Sequence, residues 1–116
     1  MSKIFWTVLF LCGVLSFSGT AHAGNLNWCG IYFEEQNQAF IVVPVEDVAS
    51  GSKNCSVKNY RESTTILGSA VMPIDFSKNR SKIGHWRKFS RHFIEIRGKV
   101  RNKKITGARL IRDYGA

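Results

Sequence analysis

Between Lys78 and Arg112 the chain carries thirteen lysines and arginines and one acid, Glu95. From Gly24 to Ser77 the balance reverses, with three basic residues (Lys53, Lys58, Arg61) against six acidic ones. An excess of twelve positive charges within 35 residues sets up a field that draws polyanions. Arg87, Lys88, Arg91, Arg97, Lys99, Arg101, Lys103 and Lys104 are the candidate anion-binding residues. Trp86, Phe89 and Phe93 lie among them, with His85 and His92 nearby. Cations interleaved with rings can track a single-stranded nucleic acid, the cations on phosphates and the rings on bases, which makes Trp86 and Phe89 candidate stacking residues. The same charges would suit an envelope polyanion, an acidic glycan, an anionic membrane surface or an acidic protein, such as a subunit of an envelope or secretion assembly. The plainer reading puts the three rings in the core, where small domains keep most large aromatics, and it is the one we favour. The basic residues would then cover an outer face. A surface kept soluble by charge alone mixes signs, so a preference for anions is expected.

Catalytic patterns are weaker. Ser90, His92 and Asp75 supply the residue types of a hydrolytic triad, but no nucleophile motif surrounds the serines. The neighbouring Glu34 and Glu35 fall in a polar turn, where solvated carboxylates are the ordinary case. A small secreted hydrolase such as a nuclease would need His85 or His92 as base and Arg87 or Arg91 on phosphate. Nothing in the chain converges on such a site, so we expect a binding protein without cofactor. Cys29 and Cys55 form neither a C-x-x-C pair nor a cysteine–histidine cluster at ligand spacing, which argues against redox and metal chemistry.

The context in which those residues work is set by the first 23. Lys3, the uncharged run Ile4 to Phe17 and the small-x-small triplet Ala21-His22-Ala23 read as a secretory signal peptide. The run is short for a membrane span of ~20 residues. Cys12 follows Leu11, where a lipoprotein site would have a small residue. The expected mature chain, Gly24 to Ala116, has 93 residues, enough for one domain and too few for two cores. It would be periplasmic or secreted, without a transmembrane segment. In that oxidising setting Cys29 and Cys55 are expected to bridge, which the chain-entropy model values at roughly 3 to 4 kcal/mol.

Most of the elements are strands. His92 to Asp113 reads as a hairpin. Ile94, Ile96 and Val100 fall on one face of its first strand, and Glu95, Arg97 and Lys99 on the other. Gly98 on the apolar face would admit close approach of another backbone. Arg101-Asn102-Lys103-Lys104 supplies the turn. Alternation in the return strand is imperfect, and Gly107 is its expected bulge. Upstream, Trp28 to Phe33 alternates, Glu34 to Gln38 is a turn, and Ala39 to Val45 is an apolar strand with Pro44 at a sheet margin. Glu46 to Asn54 reads as a loop, Cys55 to Tyr60 as a short strand and Thr64 to Met72 as a longer one with Gly68 inside it. One short helix is expected within residues 77 to 91, with Asp75, Ser77 or Ser81 as its cap.

Short strands with internal glycines suit a small, strongly curved barrel. The fold class is mainly β, a five- or six-stranded OB-like barrel with one short helix before the fourth strand; another small barrel or a twisted sandwich is the competitor. The segment HWRKFSRHFIEIRGKVRNKKITGARLIRD resembles the last two strands of the periplasmic bacterial OB-fold family, small exported proteins in which an apolar-x-apolar-x-Gly-x-Val strand precedes a turn and a final strand. The resemblance covers about a quarter of the mature chain and carries no catalytic residue. It implies export and an OB-type barrel.

Overall fold

The computed structural model describes residues 24–76 and 81–116. Residues 1–23, on which the signal-peptide reading falls, and residues 77–80, with Ser77, Lys78 and Arg80, lie outside the described residues. Five strands, β1 (Leu26–Glu35), β2 (Gln38–Pro44), β3 (Ser69–Asp75), β4 (Phe93–Arg101) and β5 (Lys104–Asp113), close a barrel in the order β1-β2-β3-β5-β4. All neighbours are antiparallel except β3 and β5, which run parallel. It is a small OB-like barrel with two helices, α1 (Val57–Leu67) and α2 (Ser81–Trp86), where one was expected.

Alternate residues of every strand point inward, as a half-buried strand requires. Trp28 and Tyr32 of β1, Ile41 and Val43 of β2, Met72 and Ile74 of β3, Ile94 and Ile96 of β4, and Ile105 of β5 are all buried in one core. Burying a side chain of this size contributes about 1.5–3 kcal/mol. The Trp28 indole donates to the Asp47 carbonyl at 3.0 Å, in the 3-10 turn Val45–Asp47 that follows β2. Near the start of β4, Trp86 packs 5.7 Å from Tyr32, 5.0 Å from Phe76 and 5.9 Å from Phe89, ring centre to ring centre. Trp86 and the 3-10 turn Arg87–Phe89 fall within the segment expected to be helical.

The second helix corrects the strand reading of residues 55–67. Ser56 accepts a hydrogen bond from the Asn59 amide and so caps α1, and Gly68, at φ 97°, ends it. The run Thr64-Thr65-Ile66-Leu67 has strand composition, but β-branched side chains lower helix propensity only slightly. Gly68 therefore lies before β3 and not inside it. Cys55, expected to start a strand, precedes α1, and it forms the expected disulfide to Cys29 on β1, closing a separation of 26 residues, with Cα atoms 5.6 Å apart. That bridge ties the approach to α1 onto the barrel wall. The Tyr60 hydroxyl adds a hydrogen bond to the Val42 carbonyl at 3.0 Å. Burial raises the pKa of the Tyr60 phenol above its ordinary value, and the phenol remains a donor.

The last hairpin follows its sequence closely. Asn102 and Lys103 both have positive φ, 54° and 60°, a two-residue turn whose twist matches its strands. A side chain on Gly98 would press on the Thr106 carbonyl, the close approach expected there. Gly107, at φ 62°, lies in the first of two register shifts, the bulge expected of it.

Candidate basic face on the last hairpin

On β4 the inward residues are Ile94, Ile96 and Gly98, so Glu95, Arg97, Lys99 and Arg101 project outward. The register with β5 sets Arg97 opposite Arg109, Arg101 opposite Lys104, and Glu95 opposite Arg112. The outer wall of the hairpin is thus a two-column patch of cations. Lys99, Arg101, Lys103, Lys104, Arg109 and Arg112 are exposed, and Arg97 is half-buried. Arg97 donates from Nη1 to the Asn27 side-chain oxygen at 2.7 Å, while Asn27 donates to Glu95 at 2.5 Å. These bonds fix the upper end of the patch. Arg112 lies 5.7 Å over the Tyr114 ring. Among the described residues, no ion pair engages Lys99, Arg101, Lys103, Lys104 or Arg109.

The eight candidate residues fall into two groups. Arg97, Lys99, Arg101, Lys103 and Lys104 belong to the hairpin wall and its turn. Arg87, Lys88 and Arg91 stand before β4, beside the end of β1, where the Arg91 amide donates to the Tyr32 carbonyl at 2.7 Å. β4 then runs antiparallel to β1 until Gly98 meets Leu26, so about 26 Å of strand separates the start of β4 from Arg101 at ~3.3 Å per residue. The single cluster expected from the sequence is therefore corrected to one face and one separate group. Arg87 is also held in an ion pair, with its Nε 2.9 Å from Glu34. The other oxygen of Glu34 accepts from the Tyr32 hydroxyl at 2.8 Å. Burial, then this hydrogen bond and the carboxylate charge, push the Tyr32 phenol far above the usual tyrosine range, so it stays a proton donor.

Trp86 and Phe89 are 5% and 8% exposed. Their faces are taken by core contacts, and the stacking role gives way to the core reading. Phe93, 4% exposed, is an outward residue of β4 covered by Tyr60 and Tyr114, with ring centres at 5.2 Å and 5.1 Å. Lys88 lies over the Phe89 ring at 5.4 Å. His92 meets Asp113, with Nδ1 3.0 Å from Oδ1. The carboxylate beside His92 is thus not that of Asp75, the one considered for a triad. The sulfurs of Cys29 and Cys55 lie near the Glu95 carboxylate, but both are consumed in the bridge.

Arg109 and Arg112 were not among the residues singled out from the sequence. Simple alternation separates them, Arg109 sharing a face with Ile105 and Arg112 with Ala108. Two register shifts, one between Arg97 and Lys99 and one between Glu95 and Ile96, bring both to the outer wall. Gly107 announces the first shift; no turn-type residue announces the second.

The wall across the barrel differs in kind. A cleft of ≈ 290 Å³ lies between α1 and the loop after β2, lined in part by Glu46, Asp47, Ser52 and Glu62. Burial raises the pKa of Asp47 above the usual carboxylate value, against the lowering effect of its hydrogen bond from Ser52. No family model matches the chain, and no curated protein or solved structure matches it either. The likeness to exported OB-fold proteins rests on the hairpin residues quoted above.

Proposed function

We propose that the chain is a small exported binding module whose β4–β5 wall takes an anionic ligand. One observation carries this reading: the ladder sets Arg97 against Arg109 and Arg101 against Lys104. Like charges directly opposite on one face destabilise a sheet by a few tenths to about 1 kcal/mol. A bound polyanion would offset that cost. The wall that OB barrels commonly offer to oligonucleotides and oligosaccharides is formed by their second and third strands. Here α1 packs against β2 and β3, which favours the hairpin wall as the open one. Export is supported by the leader-like first 23 residues and the Cys29–Cys55 bridge. Among the described residues no helix is long and apolar enough to cross a membrane.

Binding is tested on a heparin column with a rising salt gradient, since counterion release makes such binding fall steeply with salt. The double variant K99E/K104E alters the patch, and K53E/K58E alters exposed lysines outside it by the same charge. The first should elute at markedly lower salt than the second. Equal elution would show that net charge alone accounts for retention. Export is tested by mass spectrometry of the secreted chain, which should begin at Gly24 and carry one disulfide. An intact Met1 or two free thiols would overturn it.

A further inference from the structure

We infer that the ligand is a linear chain of regularly spaced phosphate or sulfate groups, held through its charges alone and not through bases; this rests on the anion-binding reading above. Arg97, Lys99 and Arg101 stand two residues apart on β4, a repeat of about 6.7 Å along the strand. Lys104 and Arg109 form the second column, in register with Arg101 and Arg97. Such a patch meets a repeating charge. Among the described residues, the two best-formed clefts for a compact ligand lie elsewhere, beside α1 and beside the β1–β2 turn.

Two observations set bases aside. The outward residues of β4 and β5 from Arg97 to Arg109 include no aromatic side chain, the nearby rings of Trp86, Phe89 and Phe93 are buried, and the exposed ring of Tyr114 is already engaged by Phe93 and Arg112. Single-strand binding proteins depend on exposed rings as much as on cations. The uncharged hydroxyl in the patch, Thr106 Oγ1, already donates to the Lys99 carbonyl at 3.4 Å.

The test compares three probes of equal charge by fluorescence anisotropy at low salt: an abasic deoxyribose–phosphate decamer, oligo(dT), and a heparin oligosaccharide. The abasic chain and oligo(dT) should bind within about twofold of each other, because bases that cannot stack add little. K99E/K104E should weaken both alike. The heparin arm separates the sources: tighter binding than the abasic chain identifies sulfate, and weaker binding identifies phosphate. Oligo(dT) binding about tenfold or more tightly than the abasic chain would overturn the charge-only reading while leaving anion binding in place. Failure of all three to bind would overturn the anion-binding reading itself.

Discussion

Phe40 and Val42, outward on β2, are half-buried against protein, whereas Lys99 and Arg101 of β4 and Lys104 and Arg109 of β5 lie against water. Phe40 stacks on Phe33 at 5.0 Å, and the Val42 carbonyl is met by Tyr60 from α1. Lys99, Arg101 and Lys104, on the far side of the same barrel, have no such cover. Both walls obey the same period of two, so the pleat does not explain the difference. It comes from what the intervening chain does. The segment between β2 and β3 forms a helix that the disulfide pins to β1. The two residues between β4 and β5 form only a turn. The covered wall is stabilised by contacts with α1, whereas the open wall keeps its like charges in solvent, where a ligand can reach them.

The largest expected effect tests whether the open wall is backed by core. Ile96 is fully buried, between the outward Glu95 and Arg97. Ile96→Ala should cost about 2–5 kcal/mol in urea denaturation. A change under 1 kcal/mol would put the register of β4 off by one.

Loss of the bridge tests what holds the cover. C29S/C55S should cost roughly 3 to 4 kcal/mol by the chain-entropy model. Hydrogen exchange should show α1 losing protection before β4 and β5, because α1 contributes no fully buried residue. Uniform loss across the barrel would mean that the helix is integral to the core.

A smaller change sharpens the same point. Tyr60→Phe removes the hydroxyl that bonds to Val42 and keeps the ring against Phe93. The expected cost is about 0.5–1.5 kcal/mol, the net worth of one hydrogen bond. A cost near zero would leave the disulfide as the main tether of α1.

The smallest effect has the opposite sign. Arg109→Gln relieves the repulsion from Arg97, so stability should be unchanged or rise by a few tenths of a kcal/mol. Heparin elution should shift to lower salt at the same time. Destabilisation by more than 1 kcal/mol would show that Arg109 holds the sheet together and does not serve a ligand.

Local chemistry made much of the fold legible. The β4–β5 turn, the inward Ile94 and Ile96, the bulge at Gly107 and the Cys29–Cys55 pair each depend on a few neighbouring residues or on there being two cysteines to join. Residues 57–67 were not legible in the same way. Thr64, Thr65 and Ile66 favour strands by side-chain shape, while the helix is settled by the Ser56 cap and by Tyr60 reaching Val42, 18 positions away. The candidate site divides similarly. The excess of cations could be counted, but its two groups could not be told apart, because Arg91 and Lys99 are near in sequence and β4 carries them apart.

The sequence by itself determined the charge asymmetry, the core alternation of β1 and β4 and the half-cystine pair, since composition and a period of two need no partner to be read. Tertiary structure alone decided which cations share a face. Barrel closure sets the register of β5 on β4, and two shifts in that register turn Arg109 and Arg112 outward beside Arg97 and Glu95. A one-residue slip would have turned them the other way.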